Sequence, residues 1–116
     1  MKIVAIFILL VTSGPTSGAD KLDKEVQYLL NYIAETECDF IRNGISYKTD
    51  KTVSHIKKKY LHFKNKITTA EEFIELSASK SMISNKPYLI ECVGQLTQTS
   101  KQWLLDELVR YRASNT

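Results

Sequence analysis

Apolar residues recur first at helical spacing and then at strand spacing, and the switch between the two outlines the fold. Leu22, Val26, Leu29, Leu30 and Ile33 repeat at three- and four-residue intervals and predict a helix over 20–37. Tyr28 and Tyr32 form a second edge beside that stripe. From Cys38 the period shortens to two. Phe40-Ile41-Arg42 and Ile45-Ser46-Tyr47 flank Asn43-Gly44, a dipeptide suited to the two positive φ angles of a type I′ turn. A hairpin pinned there sets Arg42 opposite Ile45 and Phe40 opposite Tyr47. Side chains alternate along a strand, so Cys38, Phe40 and Arg42 share a face with Ile45 and Tyr47.

Helical spacing returns after Lys48. Thr49 or Asp50 can cap a helix to about Lys66, with Val53, Ile56, Tyr60, Phe63 and Ile67 as its apolar stripe. Lys57, Lys58, Lys59, Lys64 and Lys66 fall on the flanks and outer face. Thr69-Ala70-Glu71-Glu72 has capping-box spacing, in which the threonine and the glutamate satisfy each other's free amides. It starts a third helix through about Lys80, with a small-residue inner face of Ala70, Ile74, Ser77, Ala78 and Ser81 beside Phe73. Ser84-Asn85-Lys86-Pro87 reads as a turn, Tyr88 to Cys92 as a strand and Gly94 to Thr99 as a polar loop. Ser100 can cap a last helix to about Arg112 that buries Leu104, Leu105, Leu108 and Tyr111. The order predicts an α+β domain, a three-stranded antiparallel sheet (one hairpin plus one later strand) packed with four helices.

The first nineteen residues follow a different logic. Lys2 precedes an unbroken apolar run, Ile3 to Val11, and then a small, polar stretch to Gly18. Ser17 and Ala19 satisfy the small-residue rule for signal peptidase, so 1–19 reads as a cleaved signal peptide and 20–116 as one α+β domain. A membrane anchor is the competing reading. The run is short of the roughly 20 residues a spanning helix needs, and Gly14 and Pro15 interrupt it. Removing 19 of 116 residues leaves 97, with 15 Lys and Arg against 13 acids and a formal charge of +2. That balance is too mild to imply nucleic acid. The expected location is periplasmic or secreted, with no transmembrane segment after cleavage.

Cys38 and Cys92 allow one intramolecular pairing. A bond between them would contribute roughly 4 kcal/mol of chain-entropy stabilisation and would place the third strand beside 38–42. Two separate buried thiols are the bland alternative. A redox pair lacks its usual Cys-x-x-Cys spacing here.

Candidate chemistry is sparse. His55 and His62, seven apart on one solvent face, sit among lysines and make a poor cation site; no metal or cofactor is expected. Ser79 and Ser81 with His55 could serve a small hydrolase or a hydrolase inhibitor, yet no nucleophile elbow surrounds either serine. Glu71, Glu72 and Glu75 are better read as a solvated helix face than as paired acids. The lysine-rich helix could face an anionic surface or an envelope protein, or be a solvated face. Arg42, at the hairpin tip, could reach a carboxylate such as Glu37 or Asp39. The reading is a non-catalytic binding or envelope accessory module whose surface uses Arg42, Tyr47, Lys58, Lys59 and Tyr88.

Three stretches carry a resemblance. They are Cys38-Asp39-Phe40-Ile41-Arg42-Asn43-Gly44 with Tyr47, then Glu72-Phe73-Ile74 with Ala78-Ser79-Lys80-Ser81 and Lys86-Pro87-Tyr88-Leu89-Ile90 ending at Cys92, and Trp103-Leu104-Leu105-Asp106-Glu107-Leu108 with Tyr111-Arg112. Together they resemble a family of small exported bacterial proteins that carry only a domain-of-unknown-function label. The resemblance covers nearly all of 20–116. It implies export in a Gram-negative bacterium and a Cys38–Cys92 pair, and it implies no activity. The chain departs from it after Cys92, where Val93-Gly94-Gln95-Leu96-Thr97-Gln98 replaces a charged segment bearing glycine and proline.

Overall fold

The computed structural model describes residues 17–115. The apolar leader Ile3–Val11 therefore lies outside the described residues, and of the expected signal segment only Ser17 to Ala19 is described. Helix α1 spans Gly18–Glu35, and Ser17 caps it by accepting from the Asp20 amide. Strands β1 (Asp39–Arg42) and β2 (Ile45–Tyr47) follow, then α2 (Thr49–Phe63) and a single 3₁₀ turn, Lys64–Lys66. Helix α3 (Ala70–Ser77), strands β3 (Leu89–Glu91) and β4 (Gln98–Thr99), and α4 (Ser100–Ser114) complete the order.

The sheet is antiparallel with order β2-β1-β3-β4. It has four strands where three were expected. The stretch read as a polar loop ends in β4, with Leu89 opposite Thr99 and Ile90 opposite Gln98. The hairpin has the expected register, Phe40 to Tyr47 and Arg42 to Ile45. Asn43 and Gly44 take φ of 51° and 77°, the left-handed pair that a two-residue turn demands. On the other side of β1, Phe40 faces Ile90 and Ile41 faces Leu89. Continuing that register by one residue puts Tyr88 across from Arg42. Continuing it the other way puts Cys92 across from Cys38, and the two form a disulfide with Cα atoms 4.4 Å apart.

The core lies between the helices and one face of the sheet. Val26, Leu29 and Ile33 of α1, Ile56 of α2, Phe73 and Ile74 of α3, and Leu104 and Leu108 of α4 meet Phe40 and Ile90 there. Trp103 stacks on Tyr32 and meets Phe40 edge-on. The small face of α3 is buried as its residue sizes suggest, from Ala70 through Ser77 to Ala78.

Helix ends depart from expectation by one to three residues, with α3 stopping at Ser77 rather than about Lys80 and α2 at Phe63 rather than about Lys66. Lys48, not Thr49 or Asp50, occupies the N-cap of α2, and it makes no side-chain cap bond. Thr99 rather than Ser100 caps α4, accepting from the Gln102 amide. In the capping box, Thr69 Oγ1 accepts from the Glu72 amide, while the Glu72 carboxylate reaches one residue further back to the Thr68 amide and hydroxyl. One polar cluster ties the helices together. Arg112 of α4 donates to both oxygens of Glu25 on α1 and both of Glu71 on α3.

Candidate functional site

The hairpin tip, one flank of α2 and the turn between α3 and β3 enclose a cleft. Three local features shape it. The type I′ turn projects Arg42 toward α2 with its guanidinium 4.0 Å above the Tyr47 ring. The 81–86 turn is closed by amide bonds from Ser81 to Lys86 and from Asn85 to Ser81, with Asn85 in the left-handed region at φ 61°. Asn43 then ties the two turns together, donating to Ser81 Oγ and accepting from Ser84 Oγ.

At the back of the cleft stand Lys59, Tyr88 and His55. Lys59 is 6% exposed although it lies in a run of lysines. Its Nζ donates to the Lys80 carbonyl at 2.6 Å and to the Tyr88 hydroxyl at 3.2 Å. Nε2 of His55 is 3.0 Å from the same hydroxyl. Burial, then the nearby Arg42 and Lys80 charges, push the Lys59 ammonium down to about 8. Burial, then Arg42, Lys59 and Lys58, push His55 down to about 4. The Tyr88 phenol is raised, chiefly by burial.

Two hollows open from this wall. The inner one, about 420 Å³, is bounded by Arg42, Tyr47, His55, Lys59 and Tyr88, with Asn43 and Ser81–Ile83 on the turn side. Among the described residues its lining contains no carboxylate. The outer one, about 500 Å³, extends past Tyr47 to Asp50, Lys51, Ser54 and Lys58. Among the described residues no salt bridge engages Arg42, Lys58 or Lys59, whereas Lys101, Arg110 and Arg112 are all paired. Among the described residues the buried Nε of Arg42 finds no hydrogen-bond partner. A further groove of about 540 Å³ along α2 has no buried lining residue.

All five residues singled out from the sequence, Arg42, Tyr47, Lys58, Lys59 and Tyr88, line these adjoining hollows. Three expectations need correction. His55 and His62 do not share a solvent face, because His55 turns toward Tyr88 and is half-buried while His62 is exposed. Lys59 is not on the outer face; the backbone carbonyl of Lys80 draws it inward. Arg42 pairs with neither Glu37 nor Asp39 but lies over Tyr47. The serines are engaged elsewhere. Ser79 Oγ donates to the Ile74 carbonyl, and Ser81 Oγ accepts from the amides of Ile83 and Ser84. Sequence reasoning did not connect His55 to Tyr88; no local pattern links residues 33 positions apart. Among the described residues, no helix is long and apolar enough to cross a membrane.

Residues 20–112 match a family described as being of unknown function (DUF5329). The uncharacterized protein YfeK of Salmonella typhimurium (strain LT2) is 34% identical over 90 residues, covering 75% of this chain and 75% of that protein. No solved structure matches.

Proposed function

The chain belongs to the DUF5329 family of unknown function, and on that premise we propose that it is a non-catalytic binding module whose recognition surface is the cationic cleft. One observation carries the reading. Arg42 and Lys59 converge on the inner hollow, where no carboxylate stands among the described residues of its lining, Lys58 lines the adjoining outer hollow, no salt bridge among the described residues engages any of the three, and Lys59 is held there against its desolvation. Unpaired, partly desolvated cations around a hollow are costly for stability alone and suit an incoming anionic group.

The module works outside the cytoplasm, as an envelope accessory that engages an envelope protein or an anionic surface. The Lys2–Ala19 segment pattern and the Cys38–Cys92 disulfide support export. The alternative, a hydrolase or hydrolase inhibitor using His55 with Ser79 or Ser81, has weaker support. His55 is bonded to Tyr88, and neither serine hydroxyl is its partner.

The test is a photocrosslinking amino acid placed at the exposed Met82, in cells making the full chain. Crosslinks should form and should disappear when Arg42→Gln and Lys58→Gln are added. Crosslinks that persist unchanged with both substitutions would overturn the cleft as the recognition surface. Cell fractionation checks export, with the protein expected in the periplasmic or secreted fraction.

A further inference from the structure

The inner hollow differs in character from the outer one. Its back wall is cationic and polar, Arg42 and Lys59 with Tyr88, yet its outer lip is the apolar pair Met82 and Ile83, with Ile83 98% exposed. That isoleucine sits in a turn fixed by the Asn43 and Ser81 bonds, so its exposure is held by the fold. Isolated exposed apolar side chains are ordinary. A pair at the mouth of a cationic hollow of about 420 Å³ is a different arrangement, because that volume is in the range of small-molecule sites.

We propose that the inner hollow is the seat of one small amphiphilic organic anion, with its carboxylate or phosphate head toward Arg42 and Lys59 and its apolar body along Met82 and Ile83. The proposal deepens the binding reading and rests on it. The head group finds matching chemistry. Among the described residues Arg42 has no carboxylate partner, and Lys59 uses two of its three hydrogens within the protein. Tyr88 and His55 complete the wall as neutral groups that carry no charge against an anion. A flat anionic surface suits the hollow less well, because Lys59 and Tyr88 are buried behind the turn and reachable only by a group that enters.

The test uses the full chain with four probes, octanoate, octyl phosphate, inorganic phosphate and octanol, followed by calorimetry and by NMR. One or both octyl anions should saturate at one per chain and shift signals of Ile83, His55 and Tyr88. The tighter of the two identifies the head group. Arg42→Gln should weaken that binding at least tenfold. Ile83→Asp, at a position too exposed to disturb folding, should weaken it as well. Inorganic phosphate binding as tightly as octyl phosphate would overturn the apolar half of the proposal. Octanol binding as tightly as the anions would overturn the ionic half. No saturation by either octyl anion at millimolar concentration would overturn the ligand class, and if the Met82 crosslink still depended on Arg42 the binding reading would stand without it.

Discussion

Nε2 of His55 and the hydroxyl of Tyr88 are 3.0 Å apart, and Nζ of Lys59 donates to that hydroxyl from 3.2 Å. With its oxygen already accepting from an ammonium, the phenol has its hydrogen to give to His55. The arrangement suits a neutral imidazole that accepts at Nε2 and carries its hydrogen on Nδ1. The ring C–H signals of His55 should titrate with a midpoint near 4 in NMR spectra. A midpoint of 6 or above would contradict the arrangement. The folded value lies below the ordinary 6.5, so the unfolded chain takes up the proton first as pH falls. This contribution to stability is complete above about pH 6.5 and lost as pH falls through about 4. His55→Gln should melt with less pH dependence across that window.

The Arg112 cluster predicts a large effect from one exposed-side substitution. Glu25 is 4% exposed, and Arg112 is its charge partner. Arg112→Met leaves that carboxylate buried and uncompensated, at a cost of about 3–5 kcal/mol. Urea unfolding at pH 7 measures it. Glu25→Gln added to Arg112→Met should recover part of the loss.

Glu71 makes the same cluster acid-sensitive. The hydrogen bond from Arg112 is the main cause that holds its carboxyl down to about 2, against an ordinary 4.5. A lowered folded value means its stabilisation is full above about pH 4.5 and is lost as pH falls through 2. Thermal melts between pH 5 and 2 should fall less steeply for Glu71→Gln than for the parent.

The disulfide joins residues 54 positions apart in a small domain. Reduction, or the paired change Cys38→Ser and Cys92→Ser, should cost about 2–5 kcal/mol and lower the melting temperature by at least about 10 °C. A melting curve that does not move would contradict that role.

Asn43 acts at two places at once. Its backbone needs a left-handed φ, and its side chain joins the hairpin tip to the 81–86 turn through Ser81 and Ser84. Asn43→Ala should cost about 1–2 kcal/mol. It should also speed amide hydrogen exchange in 81–86 while leaving α1 and α4 unchanged.

The hairpin, its register and the helix stripes were legible because each is written in local spacing. Asn43-Gly44 admits few backbone solutions, and a period of two then assigns every face from Cys38 to Tyr47. Strand β4 was not legible. Gln98 and Thr99 carry no strand pattern, and their pairing with Ile90 and Leu89 exists only because β3 has a free edge there. The five residues of the cleft were legible as residue types near a turn and a basic helix. The burial of Lys59 was not, because the carbonyl that draws it inward is 21 positions away. Glu25 is hidden for the same reason, since its partner is Arg112 near the other end of the chain.

The Cys38–Cys92 bond closes a covalent ring, and every cleft residue from Arg42 to Tyr88 lies inside it, while α1 and α4 lie outside. A protease that nicks the exposed 82–86 turn would leave two fragments still joined through sulfur. Such a nicked molecule would migrate as one band on a gel until a reductant was added, and only then as two.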